Sequence, residues 1–339
     1  MVVKGPPTLR DVAAKAGVSL NTVSRSIRAP QTVRPELRRH IERVIREVNY
    51  VPNRLAGGLA ATRSNMVGVI VTSLYNSEFA EIIETIQTGL SVAGLEVMIA
   101  NSRYQPDEEL RLVRSMLSWR PAALAIVGTD HHAQLGKLLR DSKTPVIELW
   151  DCSDTLIDGA VGMDHRLIGR EQVNHLVSQG SRRIGFVGAV REHDTRARKR
   201  FEGAFDEVRR RRLRTMVHEI SPESGSPQLG QTLAQRLLAR APQTDGIICN
   251  SDIVAMGVLQ AARNQGLQVP HDLAVIGFGD APVNQALIPS LSSVRPPRRS
   301  IGEAAAAQIL ARISGLPPER MLLNAQIITR ESTSRDRPT

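Results

Sequence analysis

Leu20, Asn21 and Arg25 fall close together in the stretch Ser19–Ile27, and their types suit the reading of base edges. An Asn amide can pair with adenine, a guanidinium with guanine, and Leu offers an apolar contact to a thymine methyl. The Ser and Thr hydroxyls of the same stretch suit backbone phosphates, as do the free amides at a helix N-terminus. Such side chains act together only if one helix presents them. Thr8 precedes Leu9, Val12, Ala13 and Ala16, spaced as one face of a helix. Thr8 reads as the N-cap, with Asp11 at the third helical position and Gly17 as the left-handed turn residue. Ser19 caps a second helix that turns Val23 and Ile27 inward and Leu20, Asn21 and Arg25 outward. Pro35 opens a third, with a stripe of Leu37, Ile41, Val44, Ile45 and Val48. Two short helices joined by a Gly turn, with a packing helix behind, make a helix-turn-helix.

The placement of charge agrees. Of the net +10, residues 1–63 hold +8, from 12 Lys/Arg against 4 Asp/Glu, and the rest of the chain is near neutral. A basic head on a neutral body is the footprint of a module that binds a polyanion. A merely solvated basic tail would lack the apolar periodicity seen here.

At 339 residues the chain has room for two or three domains at about 150 residues each. Apolar residues reach 41% but aromatics only 3%, too few for a sugar-processing enzyme lined with Trp and Tyr; Trp119 and Trp150 therefore stand out. The longest apolar runs, such as Met66–Val71, fall far short of the ~20 residues of a membrane span, so no membrane partner is expected. The first residues show no apolar core and no cleavage site, which leads to the expectation of a cytoplasmic protein. Cys152 and Cys249 stand alone, without a CxxC or Cys/His cluster.

From Met66 onward short apolar runs alternate with amphipathic stretches. Strands are expected at 66–73, 96–102, 123–128, 145–150, 183–188, 215–220, 246–250 and 273–277. Helices are expected at 79–93, 107–118, 165–179, 199–210, 229–240, 252–264 and 300–314. Strict alternation predicts parallel sheets covered by helices on both faces, and this many strands suits two of them. The expected fold class is α/β: an all-α helix-turn-helix head and a two-lobed, doubly wound body like that of periplasmic binding proteins. Residues 332–339 read as disordered.

The run Thr8–Arg25, followed by Val48-Asn49-Tyr50-Val51-Pro52-Asn53, resembles the lactose/galactose-repressor family of bacterial transcription regulators. The resemblance extends over Gly180–Gly188, Asn250–Gly257, Val275–Asp280 and Pro289–Val294, and so covers essentially residues 8–331. It implies that Leu20, Asn21 and Arg25 read bases while Thr8, Ser19, Thr22 and Ser24 touch phosphates. It further implies a hinge helix over 53–61 that folds on operator DNA, with Asn53 a DNA contact and Leu59 wedged into the minor groove. Gly57-Gly58 depart from the usual hinge pattern, and two glycines penalise a helix by roughly 1 kcal/mol each. The implied domains are a helix-turn-helix DNA-binding domain at 1–52, a hinge at 53–64 and an effector-binding and dimerisation domain at 65–339. Lobe one would be 65–162 with 294–321, and lobe two 163–292 with 322–332.

Ligands in such folds sit at strand C-termini, between the lobes. That rule and the resemblance select Phe79, Trp150, Arg200, Ser251 and Asp280 as ligand-binding candidates. Asp252 reads as the cap of a helix beginning at Ile253. Segments 74–83 and 145–151 are similar to gluconate-utilisation repressors, which implies a sugar acid such as gluconate or a ketogluconate. Arg200 would hold its carboxylate and Asp280 accept from its hydroxyls. A neutral sugar could use the same groups, with Arg200 donating to hydroxyls. Helix-turn-helix proteins usually dimerise on pseudo-palindromic DNA, so a homodimer is expected.

An α/β enzyme with a basic appendage is the competing class. No GxGxxG, Walker, GxSxG or HExxH pattern is present, so neither catalytic residue nor cofactor is implied. His131-His132 has no third ligand nearby in sequence, so no metal is expected. Arg209–Arg212 ends a helix, where it offsets the dipole.

Overall fold

The structure, a computed structural model, describes residues 6–51, 64–75 and 77–335. It divides into two compact units, residues 1–64 and 65–339, each taken by itself below.

In the first unit, α1 (Leu9–Ala16) opens with a capping box: Asp11 N donates to Thr8 Oγ1 at 3.4 Å and Thr8 N to Asp11 Oδ2 at 2.7 Å. Gly17, at φ 66°, closes α1 in the left-handed conformation and lets the chain turn within two residues. Ser19 caps α2 (Leu20–Arg28), accepting from Thr22 N at 3.1 Å. A single 3-10 turn at Pro30–Thr32 leads to α3 (Pro35–Glu47). Val12, Ala13, Ala16, Val23, Ile41 and Val44 are buried together, which makes a small core shared by all three helices.

The second unit holds two six-stranded sheets. The first lobe runs β1 (Met66–Val71), α4 (Ser77–Ser91), β2 (Glu96–Asn101), α5 (Pro106–Ser118), β3 (Ala123–Val127), α6 (Ala133–Ser142), β4 (Val146–Asp151) and β5 (Gly159–Met163). The chain then crosses to α7 (His165–Ser178), β6 (Ile184–Ala189), α8 (Thr195–Arg210), β7 (Val217–Ser221), α9 (Pro227–Arg240), β8 (Gly246–Cys249), α10 (Asp252–Asn264), β9 (Ala274–Phe278) and β10 (Ser292–Arg295). It returns to the first lobe for α11 (Arg298–Ile313) and β11 (Arg320–Leu322), and crosses a third time to β12 (Gln326–Ile328). The strand orders are β11-β5-β4-β3-β1-β2 and β12-β10-β9-β8-β6-β7.

Every described pairing is parallel except β10 with β12, which is antiparallel. The crossings thus fall at 163–165, 295–298 and 322–326. The sequence pattern missed β5, β10, β11, β12 and α6. β10, β11 and β12 are three or four residues long, too short to show a period. β5 is Gly159-Ala160-Val161-Gly162-Met163, with two glycines where strand formers are expected. Ser332 and Thr333, expected to be disordered, are buried: Ser332 Oγ donates to Val275 O at 2.7 Å.

Both lobes are covered on two faces. Val67, Val69, Ile86, Ile147 and Ile301 belong to one buried cluster of the first lobe, and Ile70, Leu124, Ile126 and Leu135 to another on the opposite face of the sheet. α7 and α8 meet without a spacer. A Cβ at Gly169 would collide with Arg200 O, and one at Gly203 with Arg166 O. This close crossing fixes where α8 holds Arg200.

Candidate functional site

Two regions carry the candidate residues. In the first unit α2 turns Val23 and Ser26 into the core. The opposite face presents Leu20, 42% exposed, with Asn21 and Arg25, both exposed. Neither the Asn21 amide nor the Arg25 guanidinium has a side-chain partner among the described residues, so both are available to a ligand. Thr22 and Ser24 are half-buried. The Ser19 and Thr22 hydroxyls bond each other at 2.8 Å. Thr8 Oγ1 donates to Asp11 Oδ2 at 2.6 Å, so a phosphate at Thr8 would compete with that carboxylate for the hydroxyl proton. Asn53 and Leu59 lie outside the described residues.

In the second unit a cleft of about 900 Å³ opens between the C-terminal ends of the two sheets. Phe79, Trp150, Arg200 and Ser251 all line it. Trp150, next to last in β4, holds φ 76°, a left-handed conformation rare for a bulky residue, which costs about 1–3 kcal/mol and needs the surroundings to enforce it. Its ring lies edge-on to Phe79 at 5.4 Å and to Phe278 at 6.3 Å.

Arg200 is buried against Phe278, with the guanidinium carbon 3.9 Å from the ring centroid. Its Nη1 donates to His165 Nδ1 at 3.0 Å and its Nη2 to Asn250 O at 3.2 Å. His165 Nε2 lies 3.0 Å from Trp150 O, so the neutral imidazole donates there and accepts from Arg200. Burial and the Arg200 charge hold His165 well below the usual imidazole range. Burial brings Arg200 down to about 10, still charged at neutral pH. Its Nε has no partner among the described residues, an unmet donor in the wall of the cleft.

Asp280 departs from expectation. It is buried at φ 50° and accepts from Arg295 Nε at 2.5 Å and Arg330 Nη2 at 2.7 Å. It does not line the cleft. Two arginines, Arg295 at the end of β10 and Arg330 just beyond β12, take up both its oxygens, a non-local pairing that a strand-end rule cannot see. Asp252 also departs: α10 begins at Asp252, with Ser251 in the N-cap position. The Asp252 carboxylate instead accepts from Ser293 Oγ at 2.6 Å, Ala281 N at 2.8 Å and Asn284 Nδ2 at 2.8 Å. Trp119 follows α5, is 43% exposed and lies outside the cleft.

Several lining residues escaped the sequence reading: Glu78, Arg103, Tyr104, Arg191, Arg196 and Asn250. The strand-end rule reaches Arg103 and Tyr104 after β2 and Arg191 after β6, had it been applied to those loops. Arg196 sits one helical turn before Arg200, on the same face. It is buried, with Nη2 donating to Thr72 Oγ1 across the cleft at 3.4 Å. Burial raises the Glu78 carboxyl above its ordinary range. Lys199 of the second lobe reaches Asp151 at 2.6 Å and Asp130 at 3.4 Å, both in the first.

His131 is held between Glu109 at 3.0 Å and Glu148 at 3.3 Å, one carboxylate on each ring nitrogen. Burial opposes its charge, but the two carboxylates outweigh that and hold it up at about 9. Among the described residues no three His, Cys, Asp or Glu side chains are placed to hold one metal ion. No described helix is long and apolar enough to cross a membrane.

Known proteins match both regions. Residues 8–53 match the family model described as bacterial regulatory proteins, lacI family, and residues 173–333 a periplasmic binding protein-like domain. The HTH-type transcriptional regulator GntR of Pseudomonas aeruginosa is 36% identical over 332 residues, 97% of this chain and 96% of that protein. A lacI-family transcriptional regulator from Silicibacter pomeroyi superposes with a TM-score of 0.91 at 33% identity, over 97% of this chain and 100% of that one. The lac repressor dimer bound to operator and the anti-inducer ONPF gives 0.83 at 25% identity, over 97% of this chain and 99% of that one. With the helix-turn-helix and the two-lobed body both in place, the chain belongs to the lacI family of bacterial regulatory proteins and is a DNA-binding transcription regulator rather than an enzyme.

Proposed function

We propose that this regulator is a repressor that holds pseudo-palindromic operator DNA as a homodimer and is released when its cleft takes up a sugar acid such as gluconate or a ketogluconate. In this reading Leu20, Asn21 and Arg25 meet base edges, Ser19, Thr22, Ser24 and Thr8 meet phosphates, and Asn53 and Leu59 belong to the hinge contact. Phe79, Trp150, Arg200 and Ser251 contact the effector; Asp280, committed to two arginines, does not. The observation that carries the acid is Arg200, a buried cation with an unmet Nε in a cleft lined also by Arg103, Arg191 and Arg196 and by the carboxylates of Glu78, Asp194 and Asp252. A guanidinium held this way is built to meet a carboxylate. Phe79 and Trp150 offer apolar edges to the carbon chain, and Glu78 can accept from hydroxyls. The similarity to gluconate-utilisation repressors points the same way.

A ligand shifts DNA affinity only as far as it distinguishes two lobe arrangements. An acid bound by groups of both lobes favours the closed one, and the change in spacing between the two recognition helices of a dimer gives release. Calorimetric titration of the full-length protein with gluconate, 2-ketogluconate, glucose and ribose tests the assignment. Heat from the acids is expected, together with loss of the operator complex in a parallel shift assay. Binding of a neutral sugar with silence from both acids overturns it.

A further inference from the structure

Four arginines line the cleft beside three carboxylates, Glu78, Asp194 and Asp252, and the arginines fall in two places. Arg200 lies toward the ends of β8 and β9, where it meets Asn250 O and the Phe278 ring. The second cluster lies toward β6 and β7. There Arg191, in the loop after β6, donates through Nη2 to Ser224 Oγ at 2.7 Å. Its guanidinium sits 4.7 Å from the centroid of Tyr104, which belongs to the other lobe, and Arg196 approaches the same ring at 5.6 Å. Arg103 lines the cleft beside Tyr104. Both Arg103 and Tyr104 hold positive φ, at 54° and 58°, two successive non-glycine residues in a costly conformation. Arg196 is paired with Asp194 at 3.7 Å and Arg103 with Glu108 at 3.7 Å, whereas Arg191 has no carboxylate at ion-pair distance among the described residues.

The strand ends at β8/β9 and at β6/β7 are about two strand spacings apart, on the order of 10 Å at ~4.8 Å per strand, while Arg196 stands only one helical turn from Arg200 on α8. A six-carbon acid extended between the two clusters, with a charged group at its far end, is of that length. A ligand with one anionic group, seated at Arg200, would leave Arg191 without an anionic partner.

We infer that the cleft has a second anion seat, formed by Arg191, Arg196 and Arg103 around Tyr104, and that the effector is a sugar acid with anionic groups at both ends of its chain. A phosphorylated aldonic acid and a dicarboxylic sugar acid share that chemistry. The inference rests on the sugar-acid reading above and narrows it. It also adds a route to lobe closure, because the second seat takes its arginines and its ring from both lobes. An anion there draws Arg191 and Arg103 toward one point.

Calorimetric titration of the full-length protein with gluconate, 6-phosphogluconate and glucarate provides the test. At least one of the two dianions is expected to bind about tenfold or more tightly than gluconate, the gain of one further charge-assisted contact. Phosphate and carboxylate are told apart by which dianion gains. In Arg191→Gln the ratio should collapse to within about twofold, and in Arg191→Lys, which keeps the charge but loses the fork, part of it should remain. Gluconate binding as tightly as both dianions to the unaltered protein overturns the second seat and leaves the first. A dianion advantage that survives Arg191→Gln also overturns it. Silence from all three acids overturns the second seat together with the sugar-acid reading.

Discussion

The recognition helix and the cleft solve opposite problems. On α2 the groups suited to bases stand exposed and unpartnered, on a unit whose buried core is six small or medium side chains. In the cleft the cation is buried, stacked and hydrogen-bonded before any ligand arrives, within a body of four large apolar clusters. DNA brings a dense array of charge and can order exposed side chains on contact. A small ligand cannot, so the protein must arrange its own dipoles beforehand. Cheap, local positioning serves the large ligand, and costly, non-local positioning the small one.

Core deletion should show the contrast most strongly. Ile41→Ala removes a fully buried side chain from the small core of the first unit and should cost about 2–5 kcal/mol there. Operator binding should fail while effector binding and the main thermal transition of the body persist. Loss of effector binding in the same variant would break the separation of the two regions.

Arg200→Ala comes next. It should lower effector affinity by about 2–5 kcal/mol, because it removes the buried charge and strands its acceptors His165 Nδ1 and Asn250 O. Operator affinity without effector, read by fluorescence anisotropy, should stay unchanged. Joint loss of both activities would assign Arg200 a folding role instead.

His131 sharpens the comparison by pH. Its value in the folded protein, about 9, lies above the ordinary 6.5, so its contribution is fully present below about pH 6.5 and is lost as pH rises through about 9. The contribution is on the order of 3 kcal/mol at most. Thermal melts of the body should therefore decline over that window, and His131→Gln should flatten the decline. An equal slope in the variant would remove His131 from the account.

Smaller effects belong to the head. Arg25→Ala should cost roughly 1–3 kcal/mol at one base position, seen as relaxed preference across a panel of operator variants. A uniform loss on all sequences would make Arg25 a phosphate anchor. Ser19→Ala removes the cap of α2 and should cost about 1 kcal/mol in the stability of the head.

These differences also explain what the sequence made legible. The three helices of the head are set by neighbours within four residues, so caps, the Gly17 turn and the inward stripe read directly. In the body the longer strands and most helices read correctly because each carries its own period, whereas β5, β10, β11, β12 and α6 did not. The cleft is assembled from loop ends far apart in sequence, and there the reading divided. Phe79, Trp150, Arg200 and Ser251 follow from the strand-end rule and do line the cleft. Asp280 satisfies the same rule and fails, because Arg295 and Arg330 reach it from β10 and from beyond β12. Partners that distant leave no local pattern. The two short strands at the third crossing, β11 and β12, are invisible for a different reason: they exist only as pairings to β5 and β10.

Those crossings have a mechanical consequence. A single connecting strand would let one lobe swing in any direction relative to the other, and two would still allow shear. Three, one joining β5 to α7, one β10 to α11 and one β11 to β12, leave one soft coordinate, a hinge rotation of one lobe against the other. Whatever its chemistry, a molecule in the cleft can then speak to the rest of the protein through one angle only. Effectors of different shape become comparable on a single scale, and a change of specificity in the cleft can occur without rebuilding the machinery that responds to it.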